Sequence, residues 1–498
     1  MEDWAAQAAG TGIRPLIVWF RDDLRLADHP ALEHARRSGL PLICVYVLQP
    51  AQEGMRGLGG AASWWLHGAL QALDQDLRAC GGELLLLAGS APDVLGQLAS
   101  QVDAAGLVWN RRYGQAERAV DAGIKQRLRA EGRLASSHAG SVLHEPWTLR
   151  PDGAPPYQVF SAYWRACLRA GEPPLPLPAP ADLRFASLQG LSLASRRSLA
   201  ELDLLPRTPD WAGGLRAHWV PGEAAAWRQL QHFVEEGLRG YAEGRDFPGQ
   251  THCSRLSPYL RFGHVSPRQV WHAMSAAALQ HRLPGQDLDK FLAELGWRDF
   301  CQYLHYHHAA LESRPLQPSF EAMPWRHDPA ALKAWQRGQT GYPLVDAGMR
   351  ELWTTGWMHN RVRMVVASFL VKHLLLDWRD GEAWFWDTLV DADPASNPAS
   401  WQWVAGCGMD AAPYFRIFNP ILQGQKFDAQ GAYVRHWLPE LAKLPDRALQ
   451  QPWTASSAQT RAAGVRLGID YPEPVVEHAM ARERALQAYA QMRAVRRD

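Results

Sequence analysis

The sequence predicts an N-terminal α/β domain built on a doubly wound parallel sheet, followed by a mainly α-helical domain. Three observations carry that prediction. Short apolar runs alternate with helix-period stretches over the first 135 residues. Five prolines crowd residues 173–180, and from about residue 216 the apolar positions recur at helical spacing. At 498 residues the chain is also too long for one core, so two domains are the default.

In the first region "LIVWF" (16–20), "LICVYVL" (42–48), "ELLLLAG" (83–89) and "AGLVWN" (105–110) suit strands buried on both faces. Between them "ASWWLHGALQALDQDLRAC" (62–80) and "QAERAVDAGIKQRLRAEG" (115–132) read as helices, an alternation that builds a doubly wound sheet. No G-x-G-x-x-G opens a helix there, so a dinucleotide site is not indicated. "GMRGLGGAA" (54–62) follows no strand directly and reads as loop. "GEPPLPLPAPADLRF" can be neither regular helix nor central strand, and suits an extended crossing between domains. The limits are then 13–140 for the α/β domain, 141–215 for the linker and 216–498 for the helical domain. In the last, "EAAAWRQLQHFVEEGLRGYAEG", "SPRQVWHAMSAAALQHR", "LDKFLAELGWRDFCQYLHYHHAALE" and "NRVRMVVASFLVKHLLLDW" all fit a 3.6 period.

Composition sets outer limits. A net charge of +1 neither demands nor excludes a nucleic-acid partner, because binding depends on local charge. The N-terminal "MEDWAAQAAGTGIRP" lacks a signal-peptide pattern. "MVVASFLVKHLLL" is interrupted by Lys372 and His373, so no membrane span is expected. Six dispersed cysteines without a C-x-x-C pair argue against a zinc site and a disulfide framework, and point to a cytoplasmic protein with reduced thiols. The 23 tryptophans outnumber the 14 phenylalanines and the 13 tyrosines, an excess that asks for an explanation.

Candidate chemistry collects in four places. "DADPASNPASWQW" (391–403) gathers Asp391, Asp393, Asn397, Trp401 and Trp403. Packing accounts for the tryptophans but not for the acids. Those could cap a helix or bind ribose hydroxyls or a metal, and with no His or Cys at ligand spacing metal is the weaker choice. In "CSRLSP", Ser254 and Ser257 flank Arg255, an arrangement that offers donors to pyrophosphate or simply caps a helix. "GWMHNRVRM" sets Asn360 and Arg363 one turn apart and turns Arg361 to another side, where it can reach a phosphate; a buried ion pair with Asp391 or Asp393 is the plainer alternative. "AELGWRDF" puts Glu294 three residues before Trp297 and four before Arg298. An acid and an indole on one helical face suit a planar base, although a core Trp beside a surface ion pair explains them as well. "HYHH" (305–308) has the spacing of a half-exposed amphipathic helix, not of a metal site.

Taken together, "VWFRDDLRLADHPAL", "RDFP", "SRLSPYL", "TGYPLVDAGMRELWTTGWMHNRVRM", "WQWVAGCGMDAAPYFRIFNPILQGQKFD" and "WLPEL" follow the order of the photolyase/cryptochrome family. From about residue 14 to 490 the chain resembles that family, and in detail a class I cyclobutane pyrimidine dimer photolyase. The resemblance implies FAD, bound in the helical domain by Tyr241, Cys253, Ser254, Arg255, Leu256, Ser257, Asn360, Arg363, Asp391, Asp393 and Asn397. Asn397 matches the position facing flavin N5, where an amide favours the reduced anionic cofactor. Cys253 departs from the usual Thr and is a weaker hydrogen-bond partner. Trp401, Trp378 and Trp325 match an electron-relay chain.

Glu294, Trp297, Asn360, Met364 and Trp403 match the wall of a pocket for a flipped-out thymine dimer. Arg298 and Arg361 match positions that contact the DNA backbone, and Glu294 is expected to hydrogen-bond a dimer carbonyl. The implied activity is light-driven repair of UV-damaged DNA by a monomer. A second, light-harvesting chromophore is expected in the α/β domain. Glu117 matches a folate contact, so a reduced folate (methenyltetrahydrofolate) is the first expectation, with a deazaflavin or no antenna as the alternatives. Ala116 stands where folate binders often have Asn.

The rival readings are a signalling cryptochrome and a (6-4) photolyase. Plant-type cryptochromes usually carry Asp where Asn397 stands, which favours repair. A (6-4) enzyme works with a histidine pair; His359 lies in the matching motif, but Met364 and Trp297 fit the dimer-type pocket better. The dispersed cysteines do not show the cluster pattern of the iron–sulfur branch.

Overall fold

A computed structural model describes residues 14–52, 54–150, 153–410 and 415–495. The reading of the extreme N-terminus and of "AAPY" within the late motif falls outside them. The first domain runs β1 (Leu16–Phe20), α1 (Pro30–Arg37), β2 (Leu42–Leu48), α2 (Gly60–Ala79), β3 (Leu84–Ala88), α3 (Ala91–Gln101), β4 (Gly106–Asn110), α4 (Gln115–Ala130) and β5 (Leu134–His138). All strands are parallel, in the order β3-β2-β1-β4-β5. Four strands match the apolar runs. The fifth, "LASSH", is a half-buried edge strand without an apolar run, so periodicity could not announce it.

Alternate residues of β1 serve two cores. Ile17 and Trp19 join one cluster with α3 and α4, while Leu16, Val18 and Phe20 join another that continues through α2 into the helical domain. The sheet is therefore packed on both faces, as the continuous apolar runs require.

The stretch 141–215 contains a helix, α5 (Phe160–Ala170), before the proline-rich chain. Tyr163 and Cys167 of α5 pack with Phe300, Tyr303 and Leu304 in a small core of their own. The principal helices that follow are α6 (Glu223–Glu236), α7 (Ser257–Arg261), α8 (Pro267–Gln280), α9 (Gly285–His307), α10 (Pro343–Thr355), α11 (Asn360–Ser368), α12 (Trp378–Thr388), α13 (Ser396–Ala405) and α14 (His478–Val495).

One helical expectation is corrected. "NRVRMVVASFLVKHLLLDW" is not one helix: α11 ends at Ser368, residues Phe369–His373 form a π-helical turn, and Leu375 has φ +56°. Lys372 supplies the reason. It is buried, it pairs with no carboxylate among the described residues, and the wider turn delivers its ammonium to the carbonyls of Val404 and Arg416 at 2.5 and 2.6 Å.

Buried charge ties the domains together. Arg25 donates to the carbonyls of Gly263, Asp28 and Gly140 at 2.7–2.9 Å. Asp28 takes Arg268 at 2.6 Å and Ser266 Oγ at 2.5 Å, and also accepts the Leu177 N–H at 3.0 Å. Asp299 of α9 joins the linker to the helical domain, its Oδ2 accepting the N–H groups of Leu143 and His144 at 2.8 and 3.0 Å. Its Oδ1 is buried without a hydrogen-bond partner. Burial pushes this carboxyl up to about 7, against the lowering effect of Arg298 and the two N–H groups.

A raised carboxyl pKa binds more protons in the folded state, so its contribution is full below the unfolded carboxyl's pKa and is lost as pH rises through about 7. Asn at 299 keeps one oxygen for the two N–H groups and removes the uncompensated charge. Asp299→Asn is expected to be more stable than the parent chain on the alkaline side of that pH, by about 1–3 kcal/mol. The advantage should shrink in acid, and denaturant unfolding across pH checks both.

Candidate functional site

A cavity of about 600 Å³ opens among α7, α9, α11 and α13, lined by every expected cofactor and pocket residue: Tyr241, Cys253, Ser254, Arg255, Leu256, Ser257, Glu294, Trp297, Arg298, Asn360, Arg361, Arg363, Met364, Asp391, Asp393, Asn397, Trp401 and Trp403. Residues separated by more than 150 positions thus meet on one wall. The volume lies within the roughly 300–1,000 Å³ typical of cofactor and ligand sites.

The acidic loop forms one side. Asp391 takes Arg363 of α11 in a two-pronged ion pair at 3.1 and 2.8 Å. Asp393 accepts the N–H groups of Ala395 and Ser396 at 2.9 and 2.7 Å, so it caps the start of α13. Between them the Ala392 carbonyl accepts from Nε of Arg261 at 2.7 Å, and Arg261 itself pairs with Asp22, which follows β1, at 2.7 Å. Asn397, on the first turn of α13, donates its amide N–H groups to the carbonyl and carboxylate oxygens of Glu382 at 3.1 and 2.8 Å. Its Nδ2 is engaged away from the cavity, which leaves Oδ1 as the free end of the amide.

The opposite side is the "CSRLSP" turn. Arg255 has φ +52° and sits over the Trp357 ring at 5.0 Å, and the indole N–H of Trp357 donates to Ser257 Oγ at 3.2 Å. Burial pushes the Cys253 thiol up to about 12, so it is a neutral group there. Tyr241 is set by Asp287 of α9, which accepts the N–H groups of Gly240 and Ala242, each at 2.9 Å.

At the mouth, Glu294 is ion-paired with Arg245 and lies 3.5 Å from Lys290. Trp297 stacks on Phe160 of α5 with centroids 3.8 Å apart and planes 11° from parallel. One face of the indole is thereby covered by the stretch expected to be linker. Arg361 shares the cavity wall with Asn360 and Arg363 instead of pointing elsewhere, and its Nη2 meets Asp246 at 2.5 Å.

Arg298 departs from its expected role. Its Nη1 donates to the Ser141 carbonyl at 2.6 Å and its Nη2 faces that of Leu260 at 3.4 Å, so it braces the linker against α7 and is not free for a backbone phosphate. Sequence reasoning gave no role to Arg245 and Asp246, although they open the "RDFP" motif, and it missed Phe160, Arg261 and Glu382, whose partners are distant in sequence.

Trp378, Trp325 and Glu117 stand off this wall. Trp401 and Trp378 are 2% and 1% exposed, while Trp325 is half-buried at the margin of the same apolar cluster. Glu117 lines a second cavity of about 130 Å³ with Asp22, Arg112, Arg261, His305, Arg56 and Glu382. It accepts the Gly114 N–H at 3.1 Å. Against the cost of burial, His305 and Arg112 hold its carboxyl down at about 2. Asp22 and Arg112 follow β1 and β4, so this crevice lies where the strand order reverses, the usual ligand position in an open α/β sheet.

Comparison with known proteins agrees with this geometry. A family model described as DNA photolyase matches residues 16–181, and one described as the FAD binding domain of DNA photolyase matches 291–491. The chain belongs to the photolyase/cryptochrome family. It is 49% identical to the deoxyribodipyrimidine photo-lyase of Agrobacterium fabrum over 476 residues, covering 96% of this chain and 98% of that one. Cryptochrome-1 of Arabidopsis thaliana is more distant, at 37% identity, covering 96% of this chain and 70% of that one. Among solved structures, a class III photolyase from Agrobacterium tumefaciens superposes with a TM-score of 0.92 at 48% identity, covering 98% and 99% of the two chains. The sequence reading expected class I, whereas this neighbour is of class III; membership of the family holds under either.

Proposed function

We propose that the protein repairs cyclobutane pyrimidine dimers in DNA under blue light, using FAD held in the 600 Å³ cavity. The observation that carries the reading is the convergence in one cavity of a polar cradle and an aromatic, charged mouth. The residues fit the cofactor: Arg363 paired with Asp391, the amide oxygen of Asn397, and the Ser254–Ser257 turn with Arg255 supply groups for ring, ribose and pyrophosphate. When bound and reduced, FAD supplies the electron that opens the cyclobutane ring under light and recovers it afterwards, with no net redox change.

The chain's own part is to hold and orient. Trp297, one face packed on Phe160, offers its other face for stacking to a base turned out of the duplex. Glu294, bound to Arg245, is an acceptor only, so it suits an imide N–H of the lesion, and Arg245 is the donor beside it for a carbonyl. Met364, Trp403 and Asn360 line the same cavity and offer a flipped base both apolar faces and an amide. Arg361 can meet a DNA phosphate only by exchanging its pair with Asp246, and such exchange is salt-sensitive. With FAD bound, Trp401, Trp378 and Trp325 would serve as the relay that returns it to the reduced form; the first two are buried and Trp325 is half-buried.

The second chromophore belongs, on this reading, at the crevice beside Glu117. At about 130 Å³ the crevice is smaller than sites that enclose a whole cofactor, so it would take only part of a folate or deazaflavin. Among the described residues no helix is long and apolar enough to cross a membrane, and we place the protein in the cytosol as a DNA-associated monomer.

Repair itself is the test. Dithionite-reduced protein, illuminated with one oligonucleotide holding a cyclobutane dimer and another holding a (6-4) product, should restore thymines in the first alone, as read by chromatography. No light-dependent restoration in either, from a protein that holds flavin, would favour the signalling reading. Trp297→Ala should weaken binding of dimer-containing DNA by about 1–3 kcal/mol, the worth of one stacked base, with flavin content unchanged in the visible spectrum. Trp325→Phe should block photoreduction of oxidised flavin yet spare repair once the flavin is chemically reduced, which transient absorption and the same repair assay distinguish.

A further inference from the structure

The glycine-rich loop at 54–59 finds its use in the folded chain. It crosses from the α/β domain and lies backbone to backbone on α12. The Gly57 carbonyl accepts the Trp386 indole N–H at 2.9 Å, and the Gly60 N–H donates to Asp387 at 2.8 Å. A Cβ at Gly59 would stand 2.1 Å from the Trp386 carbonyl oxygen, so only glycine permits the approach. The loop thereby presents Arg56, which lies over the Trp386 ring at 4.4 Å and donates Nη1 to both carboxylate oxygens of Glu382 at 2.7 Å. Glu382 is 2% exposed and is the residue that holds the amide nitrogen of Asn397.

We propose that Arg56 is a positioning residue for the flavin: acting from the other domain through Glu382, it fixes the orientation of the Asn397 amide. The inference rests on the reading that the cavity holds FAD with Asn397 facing its reactive ring. An amide has two ends that differ only in what they offer, a donor or an acceptor. Glu382 resolves the choice, because a flipped Asn397 would set its oxygen against two acceptor oxygens. The backbone carbonyl accepts at any charge, but the side chain is an obligatory acceptor only while ionised and fixed in place. Burial pushes its carboxyl up, and Arg56 is the foremost group opposing that rise. Without Arg56, the acid is freer to take a proton and donate to the flipped amide, so the oxygen that would face the flavin is no longer enforced.

The test compares Arg56→Ala, Arg56→Lys and Glu382→Gln with the parent protein as purified holoenzymes. Flavin content, thermal midpoint and the rate at which air reoxidises the dithionite-reduced flavin are measured for each. Arg56→Ala and Glu382→Gln should hold flavin and reoxidise faster by about tenfold, the ratio that follows from one hydrogen bond of ordinary strength. Arg56→Lys, which restores the charge, should recover much of the parent rate. Arg56 is partly exposed on a loop, so its replacement should not unfold the chain. Should Arg56→Ala release flavin, Arg56→Lys and Glu382→Gln still decide. A lowered midpoint with unchanged reoxidation in every flavin-bearing variant would make the contact merely structural and overturn the proposal. A parent protein that holds no flavin, or holds it and repairs no dimer, would instead overturn the reading beneath it.

Discussion

The structure turns on one buried guanidinium. Arg261, 7% exposed, stands where the two domains meet and joins Asp22, after the first strand, to the carbonyl of Ala392 in the acidic loop. Charges taken out of water cost several kcal/mol each unless they are matched, so neither partner can move far without leaving the other exposed to that cost. Burial opposes the charge on Asp22, but Arg112 and Arg261 outweigh it and hold its carboxyl well below the usual range. The position of the loop that carries Asp391 and Asp393 is therefore dictated partly by a motif 370 residues earlier. Arg261 also lines both cavities, which makes it a wall common to the two candidate cofactor sites.

The same rule of matched charge governs the cavity. Arg363 faces Asp391, Arg361 faces Asp246, and Arg245 faces Glu294, whereas Arg255 lies over an indole and Arg298 donates to carbonyls. The pairs fix these side chains in place, and the wall as a whole carries more cations than carboxylates. Its dipoles are already oriented, and a ligand carrying both charged and neutral polar groups can enter without large rearrangement. Aromatic faces close the remainder, with Trp297 backed by Phe160 and Trp357 set between Arg255 and Arg363. That local surplus of cations is how a chain of near-zero net charge can meet DNA, since binding depends on where charge lies and not on its total.

Much of this was legible in the sequence, and what was not has physical causes. The four strands with apolar runs were found within a residue of their limits, because a strand buried on both faces must be apolar throughout. Strand β5 escaped because an edge strand is under no such demand. The π-helical turn escaped because its cause, the ammonium of Lys372 seeking distant carbonyls, is tertiary. At the site, the motifs named the wall residues but not what holds them. Arg298 shows the limit well: a motif places the residue, yet only the fold reveals that its guanidinium is committed to Ser141. Phe160 and Arg56 lay in segments read as linker and loop, where periodicity carries no signal about a long-range contact.

The loop that mixes acids with tryptophans can now be understood as one mechanical unit. Asp393 caps α13 and so sets the register of the helix. Asn397 and Trp401, four residues apart, then fall on the same face one turn above another. Both line the cavity, the amide secured by Glu382 and the indole packed against Phe385 at 5.0 Å. A slip of one residue at the cap would rotate the helix by about 100° and remove both from the wall together. An amide and an indole on the cavity wall are thus held in fixed relation by one carboxylate. That carboxylate gains its position from a neighbour, the Ala392 carbonyl, which is tied through Arg261 to the other domain.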